Sequence, residues 1–176
     1  MNQATSDARG VPAAPGVVLP RDRIDSHCYT AYTDAVASHL GNEEGMMQHT
    51  IVNPWTWQDQ FGFVQGHEVQ GAQRILFCAG QASIDADGNP VHMDDFRAQL
   101  IQALDNLETV LGGAGLTLAN VVRLTYYATD VNTLLSNWDV VVGRLAAANA
   151  RPASTVLGVT QLAFNLAIEI EATAVV

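Results

Sequence analysis

The sequence predicts an α+β domain in which two helices cover one face of a single mixed β-sheet. Three observations carry this. Phe96, Leu100, Leu104, Leu107 and Leu111 recur at helical spacing and form one apolar stripe. The segments around it run strand–helix–strand–helix–strand–strand, two crossover units that put both helices on the same face if both are right-handed. The chain has 176 residues, of which 48% are hydrophobic and 15% charged, enough for one globular domain with a sizeable core.

Taken in order, residues 1–23 carry Gly10, Pro12, Pro15, Gly16 and Pro20 among alanines and polar residues, a composition that breaks helix and strand alike. They are expected to form a flexible arm. Ser26 is a candidate N-cap, Tyr29, Tyr32, Val36 and Leu40 recur every three or four residues, and Gly41 fits the stop position. A short amphipathic helix is expected there, so residues 1–45 are an appendage and 46–176 the domain. Gly62–Gly66 and Glu68–Gln70 suggest two short strands with a turn between them. Arg74–Ala79 has the pattern of a buried strand ending at Gly80-Gln81. Ala86-Asp-Gly-Asn-Pro90 is a turn by its chemistry. The leucine stripe follows, with Asp94 or Asp95 to cap its start and Gly112-Gly113 to end it.

Val121–Thr129 is rich in Val, Thr and Tyr and fits a strand. Thr129-Asp130 opens a second helix, with Leu134, Trp138, Val141, Val142 and Leu145 facing inward. Ser154–Val159 and Leu166–Val175 close the sheet. Both helices then lie on one face, and the other stays wet in a single copy, so association is expected.

Composition narrows the function. Eight Lys+Arg stand against eighteen Asp+Glu, a net charge of −10 with no basic cluster, which disfavours a nucleic-acid partner. No apolar run approaches the ~20 residues that span a bilayer. Cys28 and Cys78 make no disulfide framework, and a cytoplasmic protein is expected. His27, Cys28 and His39 are spaced too far apart along a helix to hold one metal ion, and His49, His67 and His92 are isolated and expected at the surface. Gly112-Gly-Ala-Gly115 follows a helix, whereas a phosphate loop precedes one, so no cofactor is expected. Cys78, inside a strand, is a small hydrophobe.

Four segments remain: Phe61-Gly-Phe-Val-Gln-Gly66, Phe77-Cys-Ala-Gly-Gln81, Arg151-Pro-Ala-Ser-Thr-Val-Leu-Gly-Val159 and Ile168-Glu-Ile-Glu-Ala-Thr-Ala-Val175. Strand alternation places Glu169, Glu171 and Thr173 on one side of the last. Two glutamates there form an ordinary solvated face, or one of them is a carboxylate placed to position water. Gly80 permits close approach of a ligand to backbone. Together these segments resemble the Rid (YjgF) family over roughly residues 46–176. The resemblance implies a chorismate-mutase-like fold, a homotrimer with pockets between subunits, a small-molecule ligand, and hydrolysis of reactive enamines and imines. It gives Glu169 the role of the pocket glutamate and leaves Glu171 structural. It puts Gly80 and Gln81 where the family has Ser-Gly-Gln, with Ala79 in place of the serine. Phe63 stands where a tyrosine usually lines the pocket, and Val156 is counted with the lining residues.

The family's deaminating members read Pro-Ala-Arg-Ser, and their arginine clamps the substrate carboxylate. Here Pro152-Ala153 is followed by Ser154. One hydroxyl cannot replace a planar two-pronged donor. Arg151 lies three residues upstream, roughly 10 Å along a strand, and Pro152 holds it extended. Arg123 and Arg144 are expected as surface or interface charges. Ala79, Phe63 and Ser154 all remove polar groups from one site, which points to an apolar ligand, or one without an amino-acid carboxylate. Three readings stand: a hydrolase for an apolar unsaturated amine, a non-catalytic binding or regulatory trimer, and a pathway-specific deaminase of the aminomuconate type.

Overall fold

The computed structural model describes residues 47–176, within the compact unit Gly45–Val176. The expected arm and the candidate helix from Ser26 to Leu40 lie outside the described residues.

Strand β1 (Gln48–Val52) pairs antiparallel with β2 (Gly66–Gln70), Gln48 opposite Gln70 and Val52 opposite Gly66. The expected pairing of Gly62–Gly66 with Glu68–Gln70 is therefore corrected. Only His67 separates those segments, too little for even a two-residue hairpin loop. Gly62 instead takes φ 77° to close a 3-10 turn over Asp59–Phe61. Residues 62–65 contribute one isolated bridge, Val64 to Ala153.

The main sheet holds β3 (Ile75–Ala82), β4 (Val121–Ala128), β5 (Ala153–Gly158) and β6 (Ile168–Val175), in the order β3-β6-β4-β5. β6 runs antiparallel to both neighbours, while β4 and β5 are parallel, so the sheet is mixed. Helix α1 (Phe96–Gly113) links β3 to β4, and Asp95 caps it by accepting from the Ala98 N–H at 2.9 Å. Between β4 and β5 the single expected helix is two, α2 (Val131–Ser136) and α3 (Trp138–Ala147). Asn137 makes the break. Its side-chain amide donates to the Thr133 carbonyl at 2.9 Å, a local bond that competes with helix continuation.

Leu100, Leu104, Leu107 and Leu111 of α1 share one buried cluster with Val141 and Leu145 of α3 and with Leu124, Tyr126, Ile168 and Ile170 of the sheet. Both helices therefore cover the same sheet face. Each leucine buried there contributes roughly 1.5–3 kcal/mol. Arg97 on α1 grips Asp139 on α3 at 2.6 Å, and Arg144 on α3 reaches back to Glu108 at 2.6 Å. Arg144 thus ties helix to helix at the surface.

The other face is open. β3 was expected to be buried and to stop at Gly80-Gln81, yet it continues to Ala82, and Phe77 is 76% exposed. As an edge strand under α1 it is covered on one side only, the side of Leu76 and Cys78.

Candidate functional site

The sequence-derived site residues fall into two groups on different parts of the sheet. The first lies on the open face. Register places Glu169 opposite Tyr127, Glu171 opposite Thr125, and Thr173 opposite Arg123. Ile168, Ile170, Ala172 and Ala174 between them are buried against the helices. β3 carries an irregularity between Cys78 and Gln81, so Ala79 and Gly80 bulge beside β6. The Glu169 side chain lies over Gly80: a Cβ there would stand 2.6 Å from the Glu169 Cδ and 2.9 Å from its Cγ. Glycine at 80 is thus the condition for the pose of Glu169.

Two side-chain amides, half-buried Asn106 and buried Gln99, fix this half. Asn106 on α1 donates to the carbonyls of Ala82 and Ile84 at 2.9 and 2.8 Å, holding the end of β3. Gln99 donates to the His92 and Met93 carbonyls and accepts the Ala167 N–H at 2.8 Å, setting the residue just before β6. Sequence reasoning missed Tyr127, whose hydroxyl donates to Glu171 at 2.8 Å; that bond holds the phenol above its usual range. The alternation of Arg123, Thr125 and Tyr127 against Leu124, Tyr126 and Ala128 was the signal for it. Arg123 donates to the Thr155 hydroxyl at 3.3 Å and sits four residues along from the Glu169 pairing, roughly 13 Å, so it supplies no clamp beside Glu169.

Gln81 does not join this group. It pairs with Ile170, and its side chain donates to the Ala79 carbonyl at 3.1 Å. It borders a groove of about 490 Å3 with Gln102 and Asn106. Cys78 is buried, and burial pushes its thiol up, so it is no ready nucleophile.

The second group gathers at the β5 edge. Ser154 and Val156 stand opposite Leu124 and Tyr126, so they share the helix-covered face and not that of Glu169. β4 separates β5 from β6, and the two groups are roughly 10 Å apart across the sheet as well as on opposite faces. The Val64 N–H donates to the Pro152 carbonyl at 3.1 Å, which brings Phe63 alongside this edge. Phe63 packs with Phe61 and Trp57, at ring separations of 6.5 and 5.9 Å. Arg151 is engaged by Asp59 and is not free to stand in for the missing arginine. The Ser154 hydroxyl turns back to the Pro152 carbonyl at 3.4 Å.

Buried polar atoms without a partner are rare and concentrate where a protein has more to do than fold. Among the described residues they are Gln58 Oε1, His67 Nδ1 and Tyr126 Oη. Each belongs to a segment that borders the second group, and Tyr126 also pairs with Ile170 of β6. Gln58 precedes the Phe61 turn, and Tyr126 pairs with Val156. His67 contacts the Arg151 carbonyl through Nε2 at 3.0 Å and packs edge-on to His49, so neither histidine is isolated as expected.

Among the described residues no three His, Cys, Asp or Glu side chains are grouped to hold a metal ion, and no helix is long and apolar enough to cross a membrane. His27, Cys28 and His39 lie outside the described residues.

A sequence model of the family described as endoribonuclease L-PSP matches residues 61–176. A RutC family protein of Aquifex aeolicus is 31% identical over 113 residues, covering 64% of this chain and 87% of that protein. A 2-iminobutanoate/2-iminopropanoate deaminase of Salmonella typhimurium is 30% identical over 113 residues, 62% of this chain and 88% of its own. Among solved structures, YyfB of Yersinia pestis, a protein of unknown function in the conserved Rid family, superposes with a TM-score of 0.65 at 37% identity, over 73% of this chain and 98% of that one. The matched stretch carries both groups of residues and the whole four-stranded sheet, and the chain belongs to the Rid (YjgF) family.

Proposed function

We propose that the protein is an imine/enamine deaminase-like hydrolase for an unsaturated amine without an amino-acid carboxylate. The observation that carries this is the seating of Glu169 over Gly80 on an open sheet face. Glu169 takes a proton from water as its oxygen adds to the C=N carbon. The nitrogen, protonated in turn, leaves as ammonia, and a C=O remains: imine plus water gives carbonyl compound plus ammonia. An enamine enters the same path after protonation on carbon.

One copy does not hold a complete site, because Glu169 and Gly80 face away from Ser154 and Val156. In a homotrimer, Glu169, Gly80 and Ala79 of one copy meet Phe63, Ser154 and Val156 of the next, and Gln81 lends support from the edge of β3. The open face, with Phe77 and Ile75 exposed, supplies apolar area for that association. The net charge of −10 gives phosphates little to bind, which disfavours RNA as the substrate.

Two imines made in place, one by an amine oxidase and one by an amino-acid oxidase, separate the possibilities. Wild type is expected to accelerate carbonyl release from the first more than from the second. Glu169→Gln is expected to lower that rate by at least about 10²-fold. An unchanged rate in Glu169→Gln would sink the mechanism. No acceleration of either imine would favour a binding trimer, which the loss of the serine, tyrosine and arginine at Ala79, Phe63 and Ser154 also describes.

A further inference from the structure

Trp57, Phe61 and Phe63 form a contiguous patch of three rings. Trp57 stands at 74° to Phe63 and 67° to Phe61, while the two phenylalanines stack at 27°. Trp57 is 57% exposed and Phe61 37%. A single exposed aromatic needs no explanation, but a patch of them does. The segment presenting them is fastened from several sides. The Gln65 N–H donates to Asn53 at 3.1 Å, and Gln58 donates to the Trp55 carbonyl at 2.7 Å. Trp138 donates from its indole to the Phe61 carbonyl at 3.0 Å, and Asp59 binds Arg151. So many polar bonds hold the rings outward in a fixed arrangement, which lowers the ordering cost of binding a ligand to them.

The rings adjoin the candidate site directly. Phe63 belongs to it, and Val64 carries the chain onto β5 one residue from Ser154. The family model begins at Phe61, so Trp57 stands four residues upstream of the stretch it matches. We infer that Trp57, with Phe61 and Phe63, forms a stacking platform for a planar aryl group, and that the ligand is an aryl-substituted amine or imine lacking a carboxylate. Trp57 is a specificity residue in this scheme and takes no part in bond making. The inference rests on the reading of the site as an imine pocket, and its test separates the two.

The full-length chain is given benzaldimine and butanaldimine, made in place by an amine oxidase from benzylamine and butylamine. Binding of phenylacetone and of butanone is followed in parallel by saturation-transfer NMR. The aryl compounds are expected to bind more tightly in both arms. Trp57→Ala is expected to raise KM for benzaldimine about 3- to 10-fold with kcat little changed, to leave butanaldimine unaffected, and to be rescued by Trp57→Phe. If neither imine is accelerated but Trp57→Ala weakens phenylacetone binding, the platform stands and the hydrolase reading falls. If imines are hydrolysed without aryl preference, the platform falls and the hydrolase reading stands; if Trp57→Ala leaves aryl binding intact, the platform falls whatever the rates. If Trp57→Ala shrinks the assembly in sedimentation while aryl binding persists, the patch is a contact between copies and the platform is wrong.

Discussion

The two groups of site residues are built on opposite terms. Around Glu169 the fit is close: only a residue without a Cβ at position 80 leaves room for its present pose, and Asn106 and Gln99 fasten the strands that carry them. Around Ser154 the fit is loose: a serine folds back on its own strand, three buried polar atoms go unpartnered, and aromatic rings face outward. The first group is the part the family resemblance maps most directly, with Glu169 as its glutamate. The first departs at Ala79, the second at Phe63 and Ser154, and Trp57 stands just upstream of the family match. On the proposed reading, the close fit serves the hydrolytic step and the loose half serves a ligand without a carboxylate to clamp.

Gly80→Ala breaks the tight half most directly. Its backbone is one that alanine adopts without strain, so the whole effect is the new methyl against Glu169. Because the neighbour is the end of a flexible side chain on an open face, the cost to stability is at the low end of the about 1–3 kcal/mol that overpacking brings, and the carboxylate moves instead. Displacing the carboxylate by ~1 Å is expected to lower imine hydrolysis by about 10²-fold. Denaturant melts and rates on Gly80→Ala, Glu169→Ala and the double variant measure the coupling. If the double variant recovers none of the stability lost in Gly80→Ala, the Glu169 contact is not its cause.

Much of this architecture was legible, and the misses have physical causes. The leucine stripe, the Asp95 cap and the alternation Ile168, Ile170, Ala172 against Glu169, Glu171, Thr173 are local patterns that tertiary packing kept. The β1–β2 pairing joins residues far apart in sequence, and no local rule specifies which segment Glu68–Gln70 will meet. The break at Asn137 depends on a side-chain bond within an otherwise helical pattern. For the site, residue types were readable but facing was not. Ser154 and Glu169 each sit on a strand of obvious period, yet only the register through β4 shows that they face opposite ways. Trp57 was invisible because nothing in its neighbourhood repeats.

A smaller effect probes the loose half. Tyr126 is fully buried against Trp138, with ring centroids 5.1 Å apart, and burial raises its phenol far above the ordinary value. Its hydroxyl has no partner, so Tyr126→Phe keeps the ring contact and removes only an uncompensated polar group. The variant is expected to be more stable by about 1 kcal/mol in urea unfolding. A loss of similar size would mean that the hydroxyl is bonded in solution, and the contrast between the two halves would weaken.

The smallest expected effect concerns acid, and it compares the loops that serve each half. Asp85, in the turn after β3, is held below the usual carboxylate range chiefly by the Asn89 backbone N–H. Asp130, which caps α2 on the way to β5, is held low chiefly by the Thr133 hydroxyl. A folded pKa below the unfolded one adds stability above about pH 4, and that stability is lost as pH falls through the folded value. Both groups are solvent-exposed, so the contribution is modest and screened by salt. Asparagine accepts the same backbone bonds without titrating. Asp85→Asn and Asp130→Asn are therefore each expected to lessen the drop in melting temperature between about pH 6 and about pH 3. A drop as steep as in wild type in both variants would mean that acid unfolding begins elsewhere, and Asp139, held low by Arg97 across the two helices, would be the next carboxylate to replace.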